Sequence, residues 1–180
     1  MILTLPKLTM VIGGAASGKS VYAENLVITS GHPRSYIATA QALDNEMRDK
    51  VVKHKAQRGA DWDTYEAPFK PWEALAGIDK ANVTLLDCAT FWLSNMLIND
   101  ANLAEEKVHF LNGLKNANGS VVIVTNEVGQ GVVPDNKLAR QFRQAQGELN
   151  QDLAALCDLV VLITAGLPLS LKGQLPQVTP

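Results

Sequence analysis

One stretch limits the possible folds more than any other: Gly13-Gly14-Ala15-Ala16-Ser17-Gly18-Lys19-Ser20, directly after the apolar run LTMVI at 8–12. It fits the pattern G-x-x-x-x-G-K-[ST]. Glycines let successive backbone N–H groups curl around an anion without Cβ clashes. A helix that starts where the loop ends aims its positive N-terminus at the same anion. In that arrangement Lys19 reaches the β- and γ-phosphates of a nucleoside triphosphate, and the Ser20 hydroxyl ligates Mg²⁺. The plain alternative is a Gly-rich turn between strand and helix. A strand pattern before, a helix pattern after and the Lys-Ser ending together favour the phosphate loop.

The rest of the chain supplies a suitable frame. Apolar runs bounded by turn residues predict strands at 8–12, 34–39, 82–88, 120–125 and 158–164. The last three are apolar on both faces, as in a parallel sheet covered by helices on both sides. Helical patterns lie at 18–30, 44–57, 70–78, 90–99, 103–117 and 136–157, and a short extra strand is expected around Thr64–Glu66. This alternation predicts a three-layer α/β/α domain with a mainly parallel central sheet. At 180 residues the chain suits one domain. That domain is expected over 1–172, with a loose tail at 173–180 that holds two prolines and no periodicity.

Composition excludes several partners. The net charge is −2, so no strong field draws the protein to nucleic acid or to a membrane surface. No apolar run approaches the ~20 residues that span a bilayer, and the first ten residues do not read as a signal peptide. Cys88 and Cys157 lie in apolar context without a C-x-x-C, which predicts two buried free thiols and a cytoplasmic setting.

Three further features bear on chemistry. A phosphate loop calls for a carboxylate at the end of a buried strand to order Mg²⁺ or its water. Asp87 closes VTLLD and fits; the alternative is an Asp capping the helix that begins near Thr90. A GTP switch would carry N-K-x-D, but Asn136-Lys137-Leu138-Ala139 has alanine at the fourth place and looks like a helix start. The stretch DNEMRDKVVKHKAQR, 44–58, predicts a helix on which Met47, Val51 and His54 share one face. Arg48, Lys50, Lys53, Lys55 and Arg58 stand around it. Crowded cations suit an anion such as a triphosphate, and an imidazole among them can attack phosphorus. A solvated basic face with a structural histidine is the alternative.

Four stretches together resemble the bifunctional adenosylcobinamide kinase / adenosylcobinamide-phosphate guanylyltransferase family of cobalamin biosynthesis. They are GGAASGKS; YIATAQALDNEM with VVKHKAQRGADWDTYEAP; LLDCATFWLSNML; and VTNEVGQGVVPDNKLARQFRQAQGELNQDLAALCDLVVLITAGLPLSLK. The resemblance covers about residues 8–172, and its most specific parts are Thr125–Pro134 and the EM…H…R…W arrangement.

The resemblance implies a P-loop NTPase-like fold, ATP and GTP as substrates, Mg²⁺, a corrinoid partner and a homotrimer. Position by position, it implies that His54 is the guanylylated nucleophile and that Lys55, Ala56, Gln57 and Arg58 contact the nucleotide. The same is implied for Ile37, Ala38, Thr39, Glu66 and Asp87, besides the loop Gly13–Ser20. Two positions depart from the family's usual pattern: Asp87 stands where Glu is common, and Ala16 where Arg is common. The implied reactions are phosphorylation of the aminopropanol hydroxyl of adenosylcobinamide, then transfer of GMP through a guanylyl-histidine. A small-alcohol kinase with His54 structural, or a non-enzymatic nucleotide-binding regulator, would share the phosphate loop. Thr125–Gly129 follows a core strand at its carboxyl end, where open α/β sheets build ligand sites, and suits a corrinoid or a subunit contact. A loop ordered by its own hydrogen bonds is the alternative, and no single role is assigned within it. Phe91, Trp92, Met96 and Leu97 suit a subunit contact, although core packing is the commoner fate of such residues.

Overall fold

The computed structural model describes residues 4–41 and 61–176. Seven strands form one sheet: β1 (Leu8–Gly13), β2 (Arg34–Ala38), β3 (Asp63–Glu66), β4 (Val83–Asp87), β5 (Val121–Asn126), β6 (Leu159–Thr164) and β7 (Leu167–Lys172). Their spatial order is β3-β2-β4-β5-β1-β6-β7. All neighbours pair in parallel except the last, β6 with β7. The described helices are α1 (Lys19–Thr29), α2 (Pro71–Gly77), α3 (Ala89–Ile98), α4 (Leu103–Lys115) and α5 (Lys137–Leu156).

The period-2 geometry of the strands explains the layering. Along β1, Leu8, Met10 and Ile12 enter one core while Val11 enters the other. β5 divides likewise, with Val121 and Ile123 on one side and Val122 and Val124 on the other. Ala23, Leu26 and Val27 of α1 seal one face. Trp92, Leu93, Phe110, Leu114, Leu149 and Leu153, from α3, α4 and α5, seal the opposite face. Trp92 is wholly buried, stacks on Phe110 at 4.3 Å between centroids and donates its indole N–H to the Phe69 carbonyl at 3.0 Å. Trp92 and Met96 are thus core residues, while Phe91 is 39% exposed.

The expected strands and the four later helices stand where the patterns put them, within a residue or two at each end. β3 starts one residue before Thr64. The expected helix at 44–57 lies outside the described residues. β7 was not foreseen. Pro168 argues against a central strand, and the segment avoids that conflict by lying at the sheet's edge. It returns through a tight turn in which Ala165 and Gly166 have φ of 52° and 77°, the left-handed pair that a two-residue hairpin requires. Cys88 and Cys157 are both buried free thiols, as expected. Among the described residues, no helix is long and apolar enough to cross a membrane.

Candidate active site

In a parallel sheet the ligand site forms at the carboxyl ends of the strands. Here β1 ends at Gly13 and α1 begins at Lys19, so the intervening residues form the loop that the sequence predicts. Two glycines are dictated by space. A Cβ on Gly13 would lie 2.6 Å from the Ile163 carbonyl oxygen and 2.5 Å from Ser17 Oγ. Gly18 has φ +94°, and a Cβ there would meet Gly166 Cα at 3.2 Å. The β6–β7 turn therefore backs the loop directly, and Gly166 N–H donates to the Ser17 carbonyl at 2.9 Å. Ala16 also has a positive φ, 55°, which costs a residue with a Cβ about 1–2 kcal/mol.

Lys19 folds back over the loop and donates to the Gly14 carbonyl at 3.1 Å. Burial lowers its pKa, while the neighbouring Cys88 and Asp87 act in the raising direction. An ammonium that has lost water and is held by one carbonyl is well placed to receive an anion. Ser20 follows in the first turn of α1. Ser17 Oγ is buried and has no hydrogen-bond partner among the described residues.

Asp87 ends β4, and its carboxylate accepts the Tyr36 hydroxyl at 2.8 Å. The N-cap of α3 is Cys88, without a side-chain cap bond. Asp87 is therefore not the residue at that cap. β4 lies two strands from β1, which puts Asp87 about 10 Å across the sheet from Gly13. Ser20 and Asp87 offer one hydroxyl and one carboxylate. That donor set fits Mg²⁺, which prefers one or two protein oxygens together with phosphate and water. No cluster of three or more His, Cys, Asp or Glu suited to a metal occurs among the described residues.

The other sequence-predicted contacts separate into three groups. Ala38 is in register with both Asp87 and Glu66, so all three share the ligand end of the sheet. Glu66 is exposed and lies four strands from β1, about 19 Å away, too far for the phosphate loop itself. Ile37 and Thr39 are fully buried. The Thr39 hydroxyl donates to the Cys88 carbonyl at 2.7 Å and accepts the Cys88 N–H at 2.8 Å. Thr39 thus holds the end of β2 against the start of α3, while Ile37 is a core residue. His54 and Lys55 to Arg58, with the cations at 48, 50 and 53, lie outside the described residues.

A second wall of the site is the Thr125–Gly129 segment, which the sequence marks as a ligand or subunit element at the end of a core strand; the side chains that hold it were not read from the sequence. β5 lies between β4 and β1, and Asn126 stands in register with Gly13. Its backbone is held on both sides: its N–H donates to Thr90 Oγ1 at 2.8 Å, and its carbonyl accepts Asn150 Nδ2 at 3.0 Å. Behind it, the Thr125 hydroxyl donates to Asn150 Oδ1 at 2.7 Å, and Gln146 Nε2 donates to both Thr125 Oγ1 and Asn150 Oδ1. Gln146 is wholly buried and Asn150 nearly so. The following Glu127 N–H donates to the Gly13 carbonyl at 3.1 Å, which ties this wall to the phosphate loop. A signal was present: Gln146 and Asn150 are i, i+4 amides on the same face of α5 as Leu149 and Leu153.

Residues 9–171 match the model of the family described as cobinamide kinase / cobinamide phosphate guanyltransferase. The chain belongs to this family. It is 42% identical over 168 residues to the bifunctional adenosylcobalamin biosynthesis protein CobP of Pseudomonas aeruginosa, covering 92% of this chain and 97% of that protein. It is 38% identical over 180 residues to the CobU protein of the same description from Salmonella typhimurium, covering 91% and 98%. The fold recurs in solved structures of low identity. The RadB recombinase matches at TM-score 0.53 and 17% identity, covering 87% of this chain and 74% of that one. The flagellar accessory protein FlaH of Methanocaldococcus jannaschii matches at 0.52 and 12%, covering 94% and 80%. These likenesses establish the P-loop NTPase fold.

Proposed function

We propose that one nucleotide site, centred on Lys19, serves two successive transfers, and that His54 carries the guanylyl group between them. The chain is an enzyme of cobalamin biosynthesis, a cobinamide kinase and cobinamide-phosphate guanylyltransferase. The observation that carries the single-site reading is the half-buried Lys19 ammonium at the loop, with Asp87 near enough to act on its charge.

In the first transfer the hydroxyl of the aminopropanol arm of adenosylcobinamide attacks the γ-phosphate of ATP or GTP. Little covalent chemistry falls to the protein, which positions the groups and neutralises charge. The loop N–H groups and the α1 N-terminus hold the phosphates, and Lys19 meets the charge that moves to the β,γ-bridge. Mg²⁺, held by Ser20 and Asp87, would add positive charge against the phosphate oxygens. In the second transfer the His54 imidazole attacks the α-phosphorus of GTP, pyrophosphate leaves, and adenosylcobinamide phosphate takes the GMP. The cations close to His54 in sequence, Arg48, Lys50, Lys53, Lys55 and Arg58, would favour the neutral, nucleophilic imidazole. Glu66 lies at the distance of a ribose or base rather than of a phosphate. The setting is cytoplasmic, and three copies associate. Leu167, Leu169 and Leu171, each more than half exposed on the edge strand β7, provide apolar surface for that association.

The test uses His54→Ala and GTP labelled in the α-phosphate. Label is expected to stay on the parent protein through denaturation, to come off in acid and to resist base. His54→Ala is expected to take no label and to keep adenosylcobinamide kinase activity. Label on the mutant would move the nucleophile elsewhere. Formation of adenosylcobinamide-GDP by a parent that never takes label would make the transfer direct.

A further inference from the structure

We infer that the cavity beside the phosphate loop receives the hydroxyl-bearing arm of the phosphoryl acceptor, with the Glu127 carboxylate as the base for that hydroxyl. This rests on the kinase reading above and names a subsite for it. The cavity is about 380 Å³ and is lined by Gly14, Glu127, Val128, Gln130, Gly131, Leu162 and Thr164.

Its position follows from Lys19. The lysine of such a loop meets the β- and γ-phosphates, and here its ammonium lies 3.1 Å from the carbonyl of Gly14, a residue of the cavity wall. The cavity thus opens beside the place where the terminal phosphate is held. An in-line acceptor must approach the γ-phosphorus from beyond that phosphate.

Its lining suits a short polar arm. Leu162 and Val128 contribute apolar surface, and Glu127, Gln130 and Thr164 contribute polar groups. With ~30 Å³ per water-sized group, the space holds on the order of a dozen such groups. That accommodates an amide-linked aminopropanol and not a corrin ring, so the ring stays outside. Glu127 is held for the task. Its N–H is bound to Gly13, and its Oε1 accepts the Gly129 N–H. Oε2 makes no hydrogen bond among the described residues and is available to a substrate hydroxyl.

The step balances. The acceptor oxygen forms a bond to the γ-phosphorus. The bond from that phosphorus to the β,γ-bridging oxygen breaks, and its electron pair remains on the nucleoside diphosphate. The hydroxyl proton passes to Glu127 Oε2 and then to water.

The experiment measures phosphorylation of cobinamide, and nucleotide affinity by calorimetry, for the parent, Glu127→Gln and Thr164→Trp. Glutamine keeps an oxygen for the Gly129 N–H but is no base. Its kcat is expected to fall about 10²–10⁴-fold with nucleotide Kd unchanged. Tryptophan at the exposed end of β6 fills the cavity without entering the core. It is expected to raise the KM for cobinamide at least tenfold, again with nucleotide Kd unchanged. Parent-like kcat in Glu127→Gln together with parent-like KM in Thr164→Trp would overturn the subsite while leaving the kinase reading intact. A parent that binds nucleotide but never phosphorylates cobinamide would instead overturn that reading.

Discussion

The two walls of the site, the phosphate loop after β1 and the Asn126–Glu127 segment after β5, stand side by side in the sheet and are specified in opposite ways. The loop is built from backbone. Gly13 and Gly18 are required because a Cβ at either place would collide or be strained, and its partners Gly166 and Glu127 join it through main-chain N–H groups. The β5 wall is built from side chains, with Thr90, Thr125, Gln146 and Asn150 drawn from α3, β5 and α5. A backbone site tolerates change in side chains and fails when conformation is lost. A side-chain network fails when any member is removed, because the partner left behind is buried and unpaired.

The sharpest break of this comparison is Lys19→Ala, since Lys19 is the one charged side chain on which the loop depends. Removing a preorganised charge from a transfer site costs about 10²–10³-fold or more in rate. Both activities are expected to fall by at least that factor, with the thermal midpoint close to the parent's, because Lys19 makes only one hydrogen bond to the loop. Stopped kinase and guanylyl-transfer assays check it. Loss of only one activity would separate the two sites.

Next in size is Gln146→Leu, which acts on the other wall. It leaves Thr125 Oγ1 and Asn150 Oδ1 each without one donor inside the core. The expected loss is about 1–3 kcal/mol, seen as a lower urea midpoint at unchanged m-value. Nucleotide affinity is expected to change far less than stability. The reverse pattern would mean that the network serves the nucleotide directly.

Asp87→Asn has a narrower effect. It keeps an oxygen for the Tyr36 hydroxyl but removes the charge near Lys19. The Mg²⁺ concentration for half-maximal rate is expected to rise several-fold. An unchanged Mg²⁺ dependence would take the metal role from Asp87 and leave it the carboxylate beside Tyr36 and Lys19. The smallest effect belongs to Ala16→Gly. Relief of a positive φ of 55° is expected to gain up to about 1 kcal/mol in stability. Catalysis should be little changed, because residue 16 offers the loop its backbone.

The same contrast explains what could be read before any coordinates. The loop was legible because its requirements are local: a strand, glycines at fixed offsets and Lys-Ser opening a helix within the thirteen residues 8–20. The sheet was legible because β4, β5 and β6 are apolar on both faces. Asn136 was legible as a helix start, and its Oδ1 does accept the Ala139 N–H at 3.2 Å. The β5 wall was legible as a strand-end segment, but the side chains that hold it were not, because those that tie α3 and α5 to β5 join residues 21 to 36 positions apart, and Gln146 and Asn150 look like ordinary polar helix residues. β7 was missed because Pro168 conceals an edge strand whose register is set by the Ala165–Gly166 turn. The Tyr36–Asp87 bond spans 51 positions and arises only when β2 and β4 pair.

The central claim is that one phosphate loop holds the nucleotide for both transfers, and intact mass under competition tests it most directly. The parent protein is incubated with GTP and Mg²⁺, without corrinoid, in the presence or absence of β,γ-imido-ATP at a concentration that fully inhibits the kinase step. The account predicts a gain of one guanylyl group per chain without the analogue, and suppression of that gain in its presence. A guanylyl adduct that forms equally fast with the analogue bound would contradict it, since GTP would then be reaching a second site.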